Sequence, residues 1–238
     1  MIKKGIIKAY IFAEEKHKGQ KRKFSDLDYF IHCKMVARRV ESLTKNENLI
    51  ITALLHDTIE DTDTTYEEIK KEFGKEIADL VQELTSDKDK IKEIGKKDYL
   101  RNKLNVISNE ALIVKLADRE HNIKFLIEDS DLSSKEAMSF LKKYYNETKY
   151  IIQDIYTDEE SREVKELIRS IKNILKKMGK LLKTKEENII TKKKLETIID
   201  IAYKIGFEDG KKITDLTEDE KYILSVFERT NKTLEDFF

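Results

Sequence analysis

The sequence predicts an all-α fold with a helical C-terminal extension, and three observations predict it. There is no proline, and glycine numbers only 7 in 238 residues. Helices tolerate that lack, whereas the many tight turns of a sheet protein do not. Apolar residues recur at helical spacing along most of the chain, and no stretch alternates for long enough to be a strand. Hydrophobic residues make up 39% and charged residues another 39%. That is far more charge than the usual quarter or so, yet enough apolar material for a core.

The elements follow in order. Residues 2–18 carry Ile6, Ile7, Tyr10, Ile11 and Ala13 at helical spacing, and Gly19 is a natural stop. "QKRKFSDLDYF" (20–30) changes from basic to acidic without a period and reads as a loop, followed by a helix over 31–43. Thr44 with Glu47 is a capping-box pattern that opens a helix running to Asp61. Thr65 with Glu68 repeats the pattern for a short helix ending near Gly74, and 75–84 is another helix. "SDKDKIKEIGKKD" (86–98) is polar and reads as an exposed loop. Helices are expected over 99–107, 110–128 and 134–156. Thr157 and Glu160 cap a further one that runs to about Met178. The remainder reads as two helices around a turn at Gly210. The length suits one domain and a small appendage, here 1–183 and 184–238.

The bulk numbers exclude several classes. Lys plus Arg is 47 and Asp plus Glu is 47, so no net charge draws the chain to nucleic acid or an anionic membrane. No apolar run approaches the ~20 residues of a membrane span. The opening "MIKKGIIKAYIFAEEK" is too interrupted by charge for a signal peptide. A single cysteine, Cys33, excludes an intramolecular disulfide and suits a reducing cytosol. The expectation is a soluble cytoplasmic protein.

Two helices are apolar nearly all round, yet each carries a strip of ionisable groups. In "TALLHDTIEDTD" (52–63), Thr52, His56 and Glu60 share one strip, and Asp57 and Asp61 the next. In "ALIVKLADREHNIKFLI" (111–127), Lys115, Asp118 and Asn122 fall on one strip. A buried carboxylate is costly unless it is paired, hydrogen-bonded or bound to metal. Carboxylates on two buried helices therefore invite a cation between them. His56, Asp57 and Asp118 offer one nitrogen and two oxygens, and His32 is the candidate fourth ligand. This His and carboxylate set suits a divalent first-row ion with positions left open for water and substrate. The absence of thiolate argues against a structural zinc site. Glu60 and Asp61, one turn beyond, are placed to orient a water or move a proton.

The ordered blocks "HKGQKRK" (17–23), "YFIH" (29–32), "ALLHDTIEDTDTT" (53–65), "FGKEIADLVQELT" (73–85) and "VKLADREHNI" (114–123) resemble the HD phosphohydrolase superfamily. Within it they resemble the hydrolase domain of RelA/SpoT-type alarmone enzymes. The resemblance spans roughly residues 1–150 and implies an HD-domain helical bundle. It also implies one Mn²⁺ on His32, His56, Asp57 and Asp118, and hydrolysis of the 3′-pyrophosphate of (p)ppGpp to GDP or GTP and pyrophosphate. It places Glu60 and Asp61 at the attacking water, and Arg22, Lys23 and Asn122 at the nucleotide. Cations beside a metal site suit a polyphosphate. The chain departs from the family's pattern in two places. Its loop after Arg22 and Lys23 lacks the usual Gly and Pro, and Phe125 stands where a small Thr is common. The resemblance implies a stand-alone small alarmone hydrolase whose partner is a small-molecule nucleotide; an oligomer remains open. Two other readings fit the residues: a phosphohydrolase of another phosphorylated nucleotide, such as a nucleoside phosphate or NADPH, and a non-catalytic nucleotide-binding regulator.

Other residues read more plainly. His17 is expected to pack or cap, Cys33 to behave as a small buried hydrophobe, and Arg119 to form a structural salt bridge. Lys115 either touches substrate phosphate or pairs with Asp118. His121, three residues after Asp118, is either its neighbour in the site or an exposed bystander. The aromatic residues at 140–150 read as core or interface. The lysines of "KNILKKMGKLLKTK" (172–185) form the solvated face of an amphipathic helix.

Overall fold

A computed structural model describes residues 4–128, 132, 134–153, 155 and 161–205, with side chains as far as Thr184 and the backbone alone from 185 onward. Among the described residues every regular element is helical, apart from one isolated bridge between Lys21 and Asp28. The helices are α1 (Lys4–Lys16), α2 (Phe30–Leu43), α3 (Glu47–Leu55), α4 (Thr58–Asp61), α5 (Tyr66–Phe73), α6 (Lys75–Leu84), α7 (Lys88–Ile94), α8 (Lys96–Leu104), α9 (Asn109–Glu128), α10 (Lys135–Ile151) and α11 (Arg162–Ile205). The chain divides into two compact units, Met1–Gly179 and Lys180–Phe238. The expected turn at Gly210 lies outside the described residues.

The first unit is built around α3. Every residue from Leu49 to Leu55 is buried, and α1, α2, α6 and α9 all pack on this helix. A helix apolar all round has no face to give to water, so it becomes the centre. The amphipathic helices surround it: α5 buries only Ile69, and α6 buries Ile77, Ala78, Val81 and Leu84. Burying a side chain such as Leu55 or Leu84 contributes about 2 kcal/mol.

Four sequence expectations need correction. The cap of α3 is Asn46, whose Oδ1 accepts from Asn48 N at 3.0 Å and Leu49 N at 3.4 Å. Thr44 instead ends α2, its N–H reaching Val40 O, and its hydroxyl accepts from Asn46 N. The helix expected to run unbroken to Asp61 stops at Leu55 and resumes as the single turn α4. The break has a local cause. Thr58 Oγ1 donates to Leu55 O at 2.7 Å and His56 Nδ1 reaches Ala53 O at 2.9 Å, so side chains take carbonyls that a continuous helix would use. The polar stretch 86–98 is not a loop. Asp87 caps α7 by accepting from Asp89 N and Lys90 N, and Gly95 at φ +83° passes the chain into α8. Finally, α11 continues past Met178 to Ile205. The one glycine within it, Gly179, costs about 1 kcal/mol in a helix interior, too little to end a proline-free run. The cap expected at Thr157 and Glu160 lies outside the described residues.

One buried ionic cluster ties α2, α9 and α11 together. Glu120, 2% exposed, accepts from Arg39 Nε at 2.6 Å, from Lys124 Nζ at 2.9 Å and from Ser170 Oγ. Burial opposes its ionisation, but Ser170 and Arg39 outweigh burial and lower its pKa. Glu120→Ala leaves Arg39 without its buried partner and is expected to cost about 3 kcal/mol. Thermal unfolding of the variant beside the parent chain checks this, and an unchanged midpoint would remove the cluster from the account of stability.

Candidate metal centre and substrate cleft

Three parts of the helical frame bring the ionisable groups together. His32 lies in the first turn of α2, His56 and Asp57 at the α3–α4 break, and Asp118 midway along α9. All are buried. Asp57 Oδ2 lies 3.0 Å from His56 Nε2 and 3.5 Å from His32 Nε2, and Asp118 Oδ1 lies 3.2 Å from His32 Nε2 and 3.9 Å from His56 Nε2. Ligand atoms of His32, His56 and Asp118 fall within 4.8 Å of one another.

The hydrogen bonds sort the imidazole nitrogens. His56 Nδ1 faces the Ala53 carbonyl and carries a proton, which turns Nε2 toward Asp57 and Asp118. His32 Nδ1 lies 2.8 Å from His121 Nδ1. Burial pushes the pKa of His121 down to about 3, with His32 and Arg22 adding to the effect. The contact with His121 turns His32 Nε2 toward Asp57 and Asp118. Both Nε2 atoms are buried with no hydrogen-bond partner. Two buried imidazole nitrogens facing two carboxylate oxygens could hold a divalent metal. The electrostatics agree. Burial opposes ionisation of Asp57 and Asp118, but His56 beside the first and Lys115 beside the second hold both well below the usual carboxylate range. Burial likewise disfavours a charged His56, yet Asp57 and Asp118 outweigh it and raise its pKa. The pocket is thus a negative field that favours a cation.

A cleft of about 370 Å³ opens beside this centre. One wall carries Glu60 and Asp61. Glu60 Oε2 accepts from Ser86 N at 2.8 Å. Tyr29 OH donates to Asp57 Oδ2 at 2.7 Å and lies 3.2 Å from Asp61 Oδ2. Burial raises the pKa of Asp61, and the charges of Asp57 and Glu60 raise it further. The other wall carries cations. Lys115 Nζ pairs with Asp118 Oδ2 at 3.4 Å, as one sequence reading has it, and the residue also lines the cleft. Arg22 Nη2 donates to Asn122 Oδ1 at 2.7 Å, and Asn122 Nδ2 donates in turn to Asp118 Oδ1. The guanidinium of Arg22 lies 4.4 Å over the Phe125 ring, and Lys23 Nζ lies 4.2 Å over Phe140.

The loop that presents Arg22 and Lys23 closes without the glycine and proline usual in the family. Arg22 N donates to Leu27 O at 2.8 Å and Tyr29 N to Gln20 O at 2.9 Å. The turn between them puts Phe24 at φ +61°, at a cost of order 1 kcal/mol. Its ring packs on Phe140 at 5.4 Å.

His17 packs: its Nδ1 meets Gln20 Oε1 at 2.8 Å and its ring lies against Tyr29, with Nε2 buried and without a hydrogen-bond partner. Arg119 pairs with Glu147 at 3.0 Å. Cys33 is fully buried. Sequence reasoning misses Tyr29, Ser86 and Phe140 at the site and leaves His121 open. Tyr29 stands three residues before His32 in "YFIH", one helical turn away, which is a usable signal. Ser86 acts through its main chain and carries no signal at all. Phe140 looks like any core aromatic.

Residues 9–146 match the model of the HD domain family. The chain is 45% identical over 123 residues to an Aquifex aeolicus guanosine-3′,5′-bis(diphosphate) 3′-pyrophosphohydrolase, which covers 51% of this chain and 18% of that protein. It is 46% identical over 125 residues to a Brucella melitensis GTP pyrophosphokinase, across 50% of this chain and 16% of the relative. The chain thus spans less than a fifth of these long bacterial proteins. Against the Xenopus tropicalis protein named guanosine-3′,5′-bis(diphosphate) 3′-pyrophosphohydrolase MESH1 it is 37% identical over 124 residues, 51% of this chain and 69% of the other. A solved structure described as a metazoan ortholog of SpoT that hydrolyzes ppGpp superposes with a TM-score of 0.56 and 25% identity, over 71% of this chain and 96% of that one. No described helix is long and apolar enough to cross a membrane. With the family model matching more than half of its length and the His/Asp cluster in place, the chain belongs to the HD domain family.

Proposed function

We propose that this chain hydrolyses the 3′-pyrophosphate of guanosine tetra- and pentaphosphate, with one Mn²⁺ held by His32, His56, Asp57 and Asp118. The observation that carries the reading is the pair of buried, unpartnered Nε2 atoms facing two carboxylates at the end of a cleft. One wall of that cleft is acidic and the other basic. Support also comes from relatives named for this reaction that share about half of the chain.

When bound, the ion supplies Lewis-acid polarisation of a phosphoryl oxygen and makes water more acidic. The chain's own residues do the rest. Arg22, Lys23 and Lys115 neutralise phosphate oxygens, and Asn122 links Arg22 to Asp118 so that substrate and metal ligands share one network. Glu60 and Asp61 orient the attacking water and take its proton. Burial raises the pKa of Asp61 and so makes it a stronger proton acceptor than an exposed aspartate. Water attacks the phosphorus bonded to O3′, the P–O3′ bond breaks, pyrophosphate leaves, and O3′ takes a proton. Tyr29 holds Asp57 and Asp61 at a fixed spacing.

Residues 1–183 constitute the hydrolase domain in this reading, and 184–238 an extension of separate role. The reaction takes place in the cytoplasm, with the free nucleotide as partner and with neither nucleic acid nor membrane required. A second reading, another phosphorylated nucleotide as substrate, is favoured by one feature: the Phe125 ring packs under Arg22 in the cleft. Purified chain with Mn²⁺ should release pyrophosphate from ppGpp, faster than with Mg²⁺. If ppGpp stays intact while a screened nucleoside phosphate or NADPH is turned over, the second reading replaces the first. If none is turned over with any divalent ion, both fall.

A further inference from the structure

Glu60 can orient a water only if its own carboxylate is held. The partner that fixes it is the main-chain N–H of Ser86, at 2.8 Å. Ser86 belongs to a three-residue link between helices. Thr85 ends α6, with its N–H on Val81 O, and Asp87 begins α7 as its cap. Such a link has few helix hydrogen bonds of its own to hold it still. Here α8 grips it from both sides. Lys103 Nζ donates to Thr85 O at 2.6 Å, and Tyr99 OH accepts from Asp87 N at 2.8 Å. Tyr99 and Lys103 stand four residues apart, so they share one face of α8, and Lys103 Nζ also lies 3.4 Å from Tyr99 OH. Two contacts therefore flank the one N–H that faces the cleft.

We infer that Tyr99 and Lys103 are positioning residues for hydrolysis: by clamping Thr85–Asp87 they aim the Ser86 N–H at Glu60 and hold its carboxylate toward the cleft. This rests on the function proposed above for its catalytic meaning, though not for the clamp itself. Lys103 is not among the residues that line the cleft, whereas Ser86 and Glu60 are, so its hydrogen bond acts on the link and only its charge reaches Glu60 directly. Burial pushes the Lys103 pKa down to about 8, Lys115 adds to the depression, and Glu60, Glu83 and Asp87 pull it back. An ammonium kept in so costly a place needs a partner that offsets the cost, and the Thr85 carbonyl is that partner.

The test uses the full chain. Hydrogen exchange at the Ser86 amide should be slow in the parent and in Lys103→Arg, which can still reach the carbonyl. It should be about tenfold faster or more in Lys103→Met and in Glu60→Ala, since each removes one restraint on that N–H. In ppGpp hydrolysis, Lys103→Met should lower kcat by roughly ten- to a hundredfold with KM nearly unchanged, because a misplaced group costs the chemical step rather than binding. The same change made in Glu60→Ala should cost almost nothing more, since the effect acts through Glu60. The thermal shift produced by Mn²⁺ should be unaltered. If Lys103→Met does not fold, Tyr99→Phe removes the second grip and is read in the same way. A Ser86 amide that stays protected in Lys103→Met, or losses that multiply fully in the double variant, would overturn the inference. If the parent leaves ppGpp intact, the functional reading falls and the exchange measurement alone decides whether the clamp exists.

Discussion

Asp118→Asn is expected to abolish Mn²⁺ binding and to lower kcat/KM for pyrophosphate release by about three orders of magnitude or more, equivalent to about 4 kcal/mol. Asp118 is the residue on which most of the site converges. Its Oδ1 faces His32 Nε2 and accepts from Asn122, and its Oδ2 faces Lys115. The amide keeps the shape but removes the negative charge that balances a cation, and it leaves the buried Lys115 without its partner. Two effects should therefore appear together. In the parent, Mn²⁺ at about 100 times its Kd should add about 2.7 kcal/mol of stability, read as a rise in the unfolding midpoint. In Asp118→Asn that rise should vanish, and the metal-free midpoint should fall because Lys115 loses its counter-charge. A variant that still gains stability from Mn²⁺ would remove Asp118 from the ligand set.

Glu60→Gln is expected to lower kcat by about 10²–10⁴-fold, the range of general acid–base catalysis, while leaving metal binding intact. The glutamine can still accept the Ser86 N–H through its amide oxygen, so the geometry survives and only the proton acceptor is lost. Asp61→Asn should fall in the same range, because Asp61 shares Tyr29 with Asp57 and burial raises its pKa. Titrating Mn²⁺ by thermal shift beside the kinetics separates the two classes of residue. Asp118→Asn loses both signals, and Glu60→Gln loses only turnover. A Glu60→Gln chain with near-parental kcat would assign the proton transfer to Asp61 alone.

Both expectations rest on residues that are legible in the amino-acid sequence. His56 and Asp57 announce themselves because ionisable groups at the end of a fully apolar run have no other reason to be there. Asp118 does so because it sits inside "LIVKLADR". The helices are equally legible wherever packing follows a 3.6-residue period, as in α1, α2, α5, α6 and α9. Thr65 at the start of α5 is marked by its capping box, and its hydroxyl does accept from Glu68 N.

Pattern reasoning fails where competing local bonds or distant partners decide. Thr44 has the pattern of a cap, but Asn46, two residues on, is the better acceptor, and the chain uses Thr44 to finish α2 instead. "SDKDKIKEIGKKD" has no apolar face to reveal a helix, yet Asp87 caps one and Gly95 turns it. Near Met178 nothing but a glycine suggests an end, and a single glycine does not stop a helix.

The sequence by itself determined the all-α class and the apolar helix at the centre, and it singled out the carboxylates and imidazoles that we propose hold a cation. Those follow from composition and period, which are properties of the chain. Only the tertiary structure decided how these groups meet. His121, on α9, meets the ring of His32, on α2, and Tyr29 reaches across to Asp57 and Asp61. A main-chain N–H at Ser86 aims Glu60. Such contacts join residues far apart in the chain, or use backbone that every residue possesses, so no local pattern encodes them.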